Sequence, residues 1–238
     1  MIHNGMEAIN MSIRLSHYSS AGSSGSESVY QLWERGIAFK DSITPATHIT
    51  HYQSHIYNYI TTLTEKNQSV LSLGCGNGFI EGELVKNDYT VNAIDISQDA
   101  VNLSIKKGIN ASIKNYYDLT NRDVDYISCV YADGFIGHLY NSDTQLNSFF
   151  DHLEKIFEGK GVTLVLSNDA PIDGSKTVQI HEKVPDFWYI SIEFLTQALS
   201  ERGYTNIDAH YYLYDRPISG TRRRTIVSAK CNKAAYVS

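Results

Sequence analysis

Residues 70–79 read VLSLGCGNGF, an apolar run that opens straight into three glycines. Glycine lets backbone and ligand approach each other, so Gly74, Cys75, Gly76 and Gly78 mark a turn that meets a bound molecule. The spacing is GxGxG. A dinucleotide fingerprint wants GxGxxG, and Phe79 stands where its last glycine would let helix and strand pack closely. A nicotinamide cofactor is therefore disfavoured. Asp95 follows at about the 20-residue distance at which a carboxylate reaches a ribose. It can accept from both ribose hydroxyls and would repel a 2′-phosphate. Asp118, in NYYDLT, offers a carboxylate to an exocyclic adenine amine. His138, in DGFIGHLY, is the residue type for proton abstraction at neutral pH, because unperturbed imidazole titrates near pH 6.5. Tyr131 and Asp133 stand just before it as secondary candidates. The implied chemistry is a nucleoside ligand beside a proton acceptor.

These residues need elements to hold them. From residue 69 the pattern alternates: strands over 69–74, 89–96, 111–116, 124–132 and 161–168, and helices over 79–87, 97–108, 142–160 and 191–203. Ser97 is placed to cap its helix, and a Ser/Asp pair at 142–143 is expected to start the next but one. Strands over 206–215 and 222–230 follow one another without a crossover helix and must pair antiparallel. The expected fold is α/β, a doubly wound, mostly parallel, seven-stranded Rossmann-like sheet with an antiparallel C-terminal hairpin. Ahead of it, the Gly/Ser tract over 19–28 reads as flexible, and helices are expected from Ser28 and near Pro45, with Thr44 as a cap. The organisation is then a mobile arm over 1–27, a helical lid or substrate-recognition segment over 28–66, the main domain over 67–232 and a tail over 233–238.

The run LSLGCGNG, then AIDIS, YYDL and CVYADGFIGHL, resembles the class I S-adenosylmethionine-dependent methyltransferases, of small-molecule type, from about Ser69 to Lys230. The resemblance implies S-adenosylmethionine as cofactor, with S-adenosylhomocysteine as product. It places the amino-acid part over Gly74, Cys75 and Gly76, the ribose on Asp95, and the adenine against Ile96, Tyr117 and Asp118. Val130 and Tyr131 would pass near the cofactor. That family often has an acid two residues before the first motif glycine; here Ser72 stands there. The acid role falls to a residue the sequence does not place.

Methyl transfer needs alignment and exclusion of water, and a hydroxyl acceptor also needs a base, for which His138 is the candidate; the alternative is a histidine that orients its loop. The segment before residue 67 would choose the substrate through Tyr18, Tyr30, Trp33 and His51. His48, His51, Tyr52 and His55 fall on one helical face, which either packs on the main domain or closes over the site. The long stretch over 168–190 is expected as a lid loop, with Trp188 and its aromatic neighbours as the other wall. Asp133, Asn168 and Asp169 resemble the magnesium ligands of catechol-type methyltransferases, but the Asp–Asn order is reversed, and no metal is expected. In TRRRT, Arg222 and Arg224 face one way and Arg223 the other. The run either meets a substrate anion through Arg223 or protects an edge strand.

The chain has 238 residues, 20 basic and 26 acidic, for a formal net charge of −6. That argues against nucleic acid or an anionic membrane as main partner. Its three cysteines lack metal-ligand spacing and suit a reducing, cytoplasmic setting. Tyrosine, at 17 residues, suits a pocket for an aromatic or heterocyclic ligand. The expected activity is methyl transfer to nitrogen or oxygen of such a metabolite. The alternatives are an RNA or protein methyltransferase, or a nucleotide-binding module without catalysis; YADG stands where amino-methylating enzymes carry NPPY. The oligomeric state is not legible.

Overall fold

The computed structural model describes Tyr18 and residues 27–37, 45–216 and 220–231. Most of the expected arm, Thr44 and the tail over 233–238 lie outside the described residues.

Seven strands form one sheet in the order β3-β2-β1-β4-β5-β9-β8. They are β1 (Ser69–Leu73), β2 (Thr90–Asp95), β3 (Asn110–Ile113), β4 (Ile127–Asp133), β5 (Val162–Asp169), β8 (Thr205–Arg216) and β9 (Gly220–Cys231). β1 to β5 are parallel, and β9 runs antiparallel between β5 and β8. The chain steps outward from β1 to β3 and returns to β4 on the other side. This leaves a crevice at the carboxyl ends of β1 and β4, where such sheets bind ligands.

Helices cover both faces. On one face α6 (Asn147–Ile156) and α7 (Ile192–Glu201) bury Phe149, Phe150, Leu153, Leu195 and Leu199 against Leu71, Val130, Leu164 and Val227. On the other, α2 (Thr50–Leu63) and α3 (Phe79–Lys86) bury Tyr52, Ile56, Ile60, Ile80 and Leu84 against Val70, Val91, Cys129 and Ile226. α2 is thus a layer of the main domain. Only α1 (Val29–Glu34) of the expected lid segment packs elsewhere, on Ala100 of α4 (Gln98–Lys106). The caps fall as expected at Ser28 and Ser97, whose hydroxyls accept from the amides of Gln31 and Ala100, and Ser191, read as the first residue of its helix, caps α7 by accepting from the Phe194 amide. Near Pro45 the chain makes a 3₁₀ turn, Ala46–His48, and α2 begins only at Thr50, so His48 is not on the face of Tyr52 and His55. Among the described residues, no helix is long and apolar enough to cross a membrane.

Three expectations are corrected. α6 starts at Asn147, because the Asn141 side chain takes the amides of Asp143 and Thr144 and holds them in a turn. The stretch after β5 is not a structureless loop: β6 (Val178–Ile180) pairs with β7 (Trp188–Ile190) as a second small sheet. TRRRT does not protect an edge, since β9 lies inside the sheet and Arg224 is only 3% exposed.

Candidate functional site

Where β1 ends, the glycine turn is tied to the end of β2. The amides of Gly74 and Cys75 both donate to the Ile94 carbonyl, at 2.8 and 3.1 Å. The Asp95 carboxylate accepts from the Gly76 amide through one oxygen and the Ser97 amide through the other, each at 2.9 Å. Each oxygen keeps a further lone-pair direction for a ligand hydroxyl. Gly74 has φ +68°, and a Cβ there would lie 2.6 Å from the Phe135 ring. Gly78, also left-handed, serves a different purpose. A Cβ on it would stand 2.6 Å from both Ile109 and Ser104, so its missing side chain lets the turn pack against α4 and against Ile109, just ahead of β3.

Over these strand ends lies a cavity of about 390 Å³, within the range of small-molecule and cofactor sites. Its walls bring together Gly74, Cys75, Gly76, Asp95, Ile96 and Tyr117 with Tyr18, Tyr30, Trp33, Tyr131, Asp133 and His138. Besides Gly78, four expected residues are elsewhere. Asp118 is exposed, turned outward by the 3₁₀ turn Tyr116–Asp118 that Asn115 caps; Asn115 and Tyr117 line the cavity in its stead. Val130 is fully buried under α6, because alternation along β4 turns it away from Tyr131. His51 is exposed beside Tyr212. Trp188 packs on Tyr140, and Phe187 takes the wall position instead.

α1 is fastened over the cofactor end. The Asn77 side-chain amide donates to the Tyr30 carbonyl and to Glu34, at 2.9 and 2.7 Å, and Lys107 closes on Glu34 at 2.6 Å. Tyr30 stacks on Tyr18, their centroids 5.5 Å apart.

Sequence reasoning missed Glu81. It sits in the first turn of α3, 4% exposed, on the cavity wall, and accepts from the Ser72 hydroxyl at 2.6 Å. Burial raises its carboxyl from 4.5 to about 7, against the Ser72 hydrogen bond that lowers it. A buried acid thus reaches the cavity beside Ser72 from the helix behind it. A first-turn glutamate reads in a sequence as a partner of the helix dipole, and only Ser72 at the expected acid position hinted otherwise.

The opposite end is histidine, aromatic rings and arginine. α5 (Ile136–Leu139) carries His138, and Gly137 lets it sit against β7: a Cβ there would lie 2.6 Å from the Trp188 carbonyl. His138 Nδ1 donates to the Asp186 carbonyl at 3.3 Å, which leaves Nε2 to accept from the Tyr18 hydroxyl at 2.9 Å. Phe187 lies edge-on at 4.8 Å. Tyr131 and Asp133 are engaged otherwise than expected. Asp133 accepts from Tyr52, Tyr131 and Arg224, so its oxygens are committed to holding β4 against α2 and β9 and it is poorly placed to take a substrate proton. Arg224 also donates to Asp169, while Asn168 donates its amide to the carbonyls of Asp169 and Trp188. A guanidinium, rather than a shared cation, thus joins the two carboxylates of the alternative metal trio. Arg223 is turned away, donating to the Pro171 carbonyl.

No family model matches the chain. The tabtoxin biosynthesis enzyme of Pseudomonas amygdali pv. tabaci is 42% identical over 201 residues, 84% of this chain and 80% of that protein. Among solved structures, magnesium protoporphyrin IX methyltransferase from Synechocystis PCC 6803 superposes with a TM-score of 0.60 at 15% identity, covering 92% of this chain and 96% of that one. The 1,6-didemethyltoxoflavin-N1-methyltransferase of Burkholderia thailandensis gives 0.59 at 14% identity, covering 98% and 90%. A SAM-dependent methyltransferase from Methanosarcina mazei gives 0.57 at 15%, covering 74% and 97%. The chain belongs to the same family as the tabtoxin biosynthesis enzyme, and its fold is that of the class I S-adenosylmethionine-dependent methyltransferases.

Proposed function

We propose that this protein transfers a methyl group from S-adenosylmethionine to nitrogen or oxygen of a small metabolite. The observation that carries the reading is one cavity with two buried carboxylates, Asp95 and Glu81, at one end and an acceptor nitrogen, His138 Nε2, at the other. The residues fit the cofactor. Asp95 keeps lone pairs for two hydroxyls, Cys75 and Gly76 present backbone without bulk, and Glu81 is a buried carboxylate suited to an ammonium. When bound, S-adenosylmethionine supplies a methyl group on a positively charged sulfur.

The chain's own residues do the rest. α1, pinned through Asn77 and Glu34, covers the cofactor end, and Tyr30, Tyr18 and Phe135 exclude water from it. His138 takes the proton of an incoming hydroxyl or amine at Nε2; Tyr18, which now donates there, yields the position to the acceptor. The Asp186 carbonyl on Nδ1 holds the ring and favours the imidazolium that forms. Tyr131 and Asp133 position the wall and do not carry protons. The aromatic faces of Tyr18 and Phe187 suit a flat, aromatic or heterocyclic acceptor, and the sequence relative's link to tabtoxin biosynthesis supports a metabolite over RNA or protein.

Calorimetric titration with S-adenosylmethionine, S-adenosylhomocysteine and NAD tests the reading. The first two are expected to bind and NAD is not. Binding of NAD alone, or of none of them, overturns it.

A further inference from the structure

We infer that the methyl acceptor carries a carboxylate and that Arg216 binds it. This rests on the methyl-transfer reading of the cavity. Arg216 ends β8 and lines the acceptor end, 5% exposed. Its Nε donates to the Tyr214 hydroxyl at 2.6 Å and its Nη2 to Asp169 at 2.5 Å. Nη1 is buried, with no hydrogen-bond partner among the described residues. A buried charged donor left without an acceptor is costly, and buried polar groups in native proteins are nearly always satisfied. The fork cannot swing away to find a partner, because Tyr214 and Asp169 pin it and it lies over the Tyr214 ring at 5.1 Å. It is a preorganised donor, without an acceptor, on a side chain that lines the cavity.

The charge around it favours an anion. Asp169 already answers two guanidiniums, through Arg216 on one oxygen and Arg224 on the other, and its second oxygen contact includes Tyr214. On the hairpin, Tyr214 stands opposite Arg222 and Tyr212 opposite Arg224, so by alternation Arg216, Arg222 and Arg224 share one face. Among the described residues, Asp133 and Asp169 are the carboxylates that Arg216 and Arg224 hydrogen-bond, so with Arg222 the face carries three guanidiniums against those two. A phosphate presents three acceptor oxygens and calls for several donors. One free guanidinium nitrogen suits the single forward oxygen of a carboxylate.

The test uses the smallest carboxylate, so that it does not depend on the acceptor's scaffold. Crystals of the full chain grown with S-adenosylhomocysteine are soaked in acetate or, in parallel, in acetamide. Acetate is expected on Arg216 Nη1, and acetamide is not. In solution, acetate followed through the backbone amide resonances of Tyr214 and Asp169, which both proteins retain, is expected to bind about ten-fold more weakly to Arg216→Gln, the loss that follows from removing a charged donor. Should that variant fail to fold, Arg216→Lys, whose single ammonium stays on Asp169 and lacks the third nitrogen of the fork, serves with the same direction of change. Acetate absent from Arg216, acetamide bound equally well, or unchanged acetate binding in the variant overturns the inference. S-adenosylhomocysteine density in the same crystals reports separately on the methyl-transfer reading. Its presence without acetate sinks the inference alone, and its absence sinks the reading.

Discussion

Glu81→Gln asks whether the buried acid behind Ser72 holds the cofactor's ammonium. Glutamine keeps the volume and still accepts from the Ser72 hydroxyl, so the local packing survives. In the wild type, burial holds the carboxyl at about 7, so it is largely protonated below that pH. An ammonium favours the ionised form, so binding draws a proton off, and affinity rises with pH up to and through the neutral range. With a pKa of about 7, the ionised fraction falls about eight-fold between roughly pH 7.5 and pH 6, and wild-type affinity falls with it. Glutamine has no such dependence. A charged hydrogen bond contributes about 1.5–3 kcal/mol, so the variant should bind roughly 10- to 150-fold more weakly near pH 7.5. That gap should shrink about eight-fold near pH 6, following the same ionisation. Calorimetry at the two pH values, in buffers of different ionisation enthalpy, reads both the affinity and the proton released. A gap of equal size at both pH values, with no proton released by the wild type, would refute the assignment.

Asp95→Ala should weaken S-adenosylhomocysteine binding by about 1–3 kcal/mol, and by calorimetry an unchanged dissociation constant would remove the ribose role. His138→Gln should lower kcat by about 10²-fold or more with little change in cofactor affinity, as loss of a general base does; single-turnover rates equal to wild type would point to an acceptor that needs no base. His55 is held below its ordinary value by burial and then by His210, which stands 2.8 Å away. The folded state therefore takes up the proton later than the unfolded chain, and stability is present above about pH 6.5 and lost as pH falls below it. Urea midpoints near pH 7.5 and 5.5 should show a smaller loss for His210→Gln than for the wild type, with Tyr59, Asp208 and Tyr212 around the pair unchanged; equal losses would show that the pair does not matter.

The alternation of strands and helices, the direction of the last hairpin and the tight turn at Gly74 are all legible in the linear chain. Each rests on period, cap or turn chemistry that acts within a few residues, as where Ser97 caps its helix. The linear chain also marks His138 as a cavity residue, since it follows β4 directly. The rest of the site depends on contacts far apart in the chain. Asp118 and Asp95 read alike as acids after strands, yet one short turn exposes the first. Glu81 enters the cavity because α3 lies on β1 with its first turn beside Ser72. Arg216 and Arg224 reach Asp169 and Asp133 because β9 inserts between β5 and β8, a strand order that no local pattern encodes. A run of arginines on a strand looks the same at an edge as inside a sheet. Only the neighbours brought to it by the fold make it a buried, charged wall.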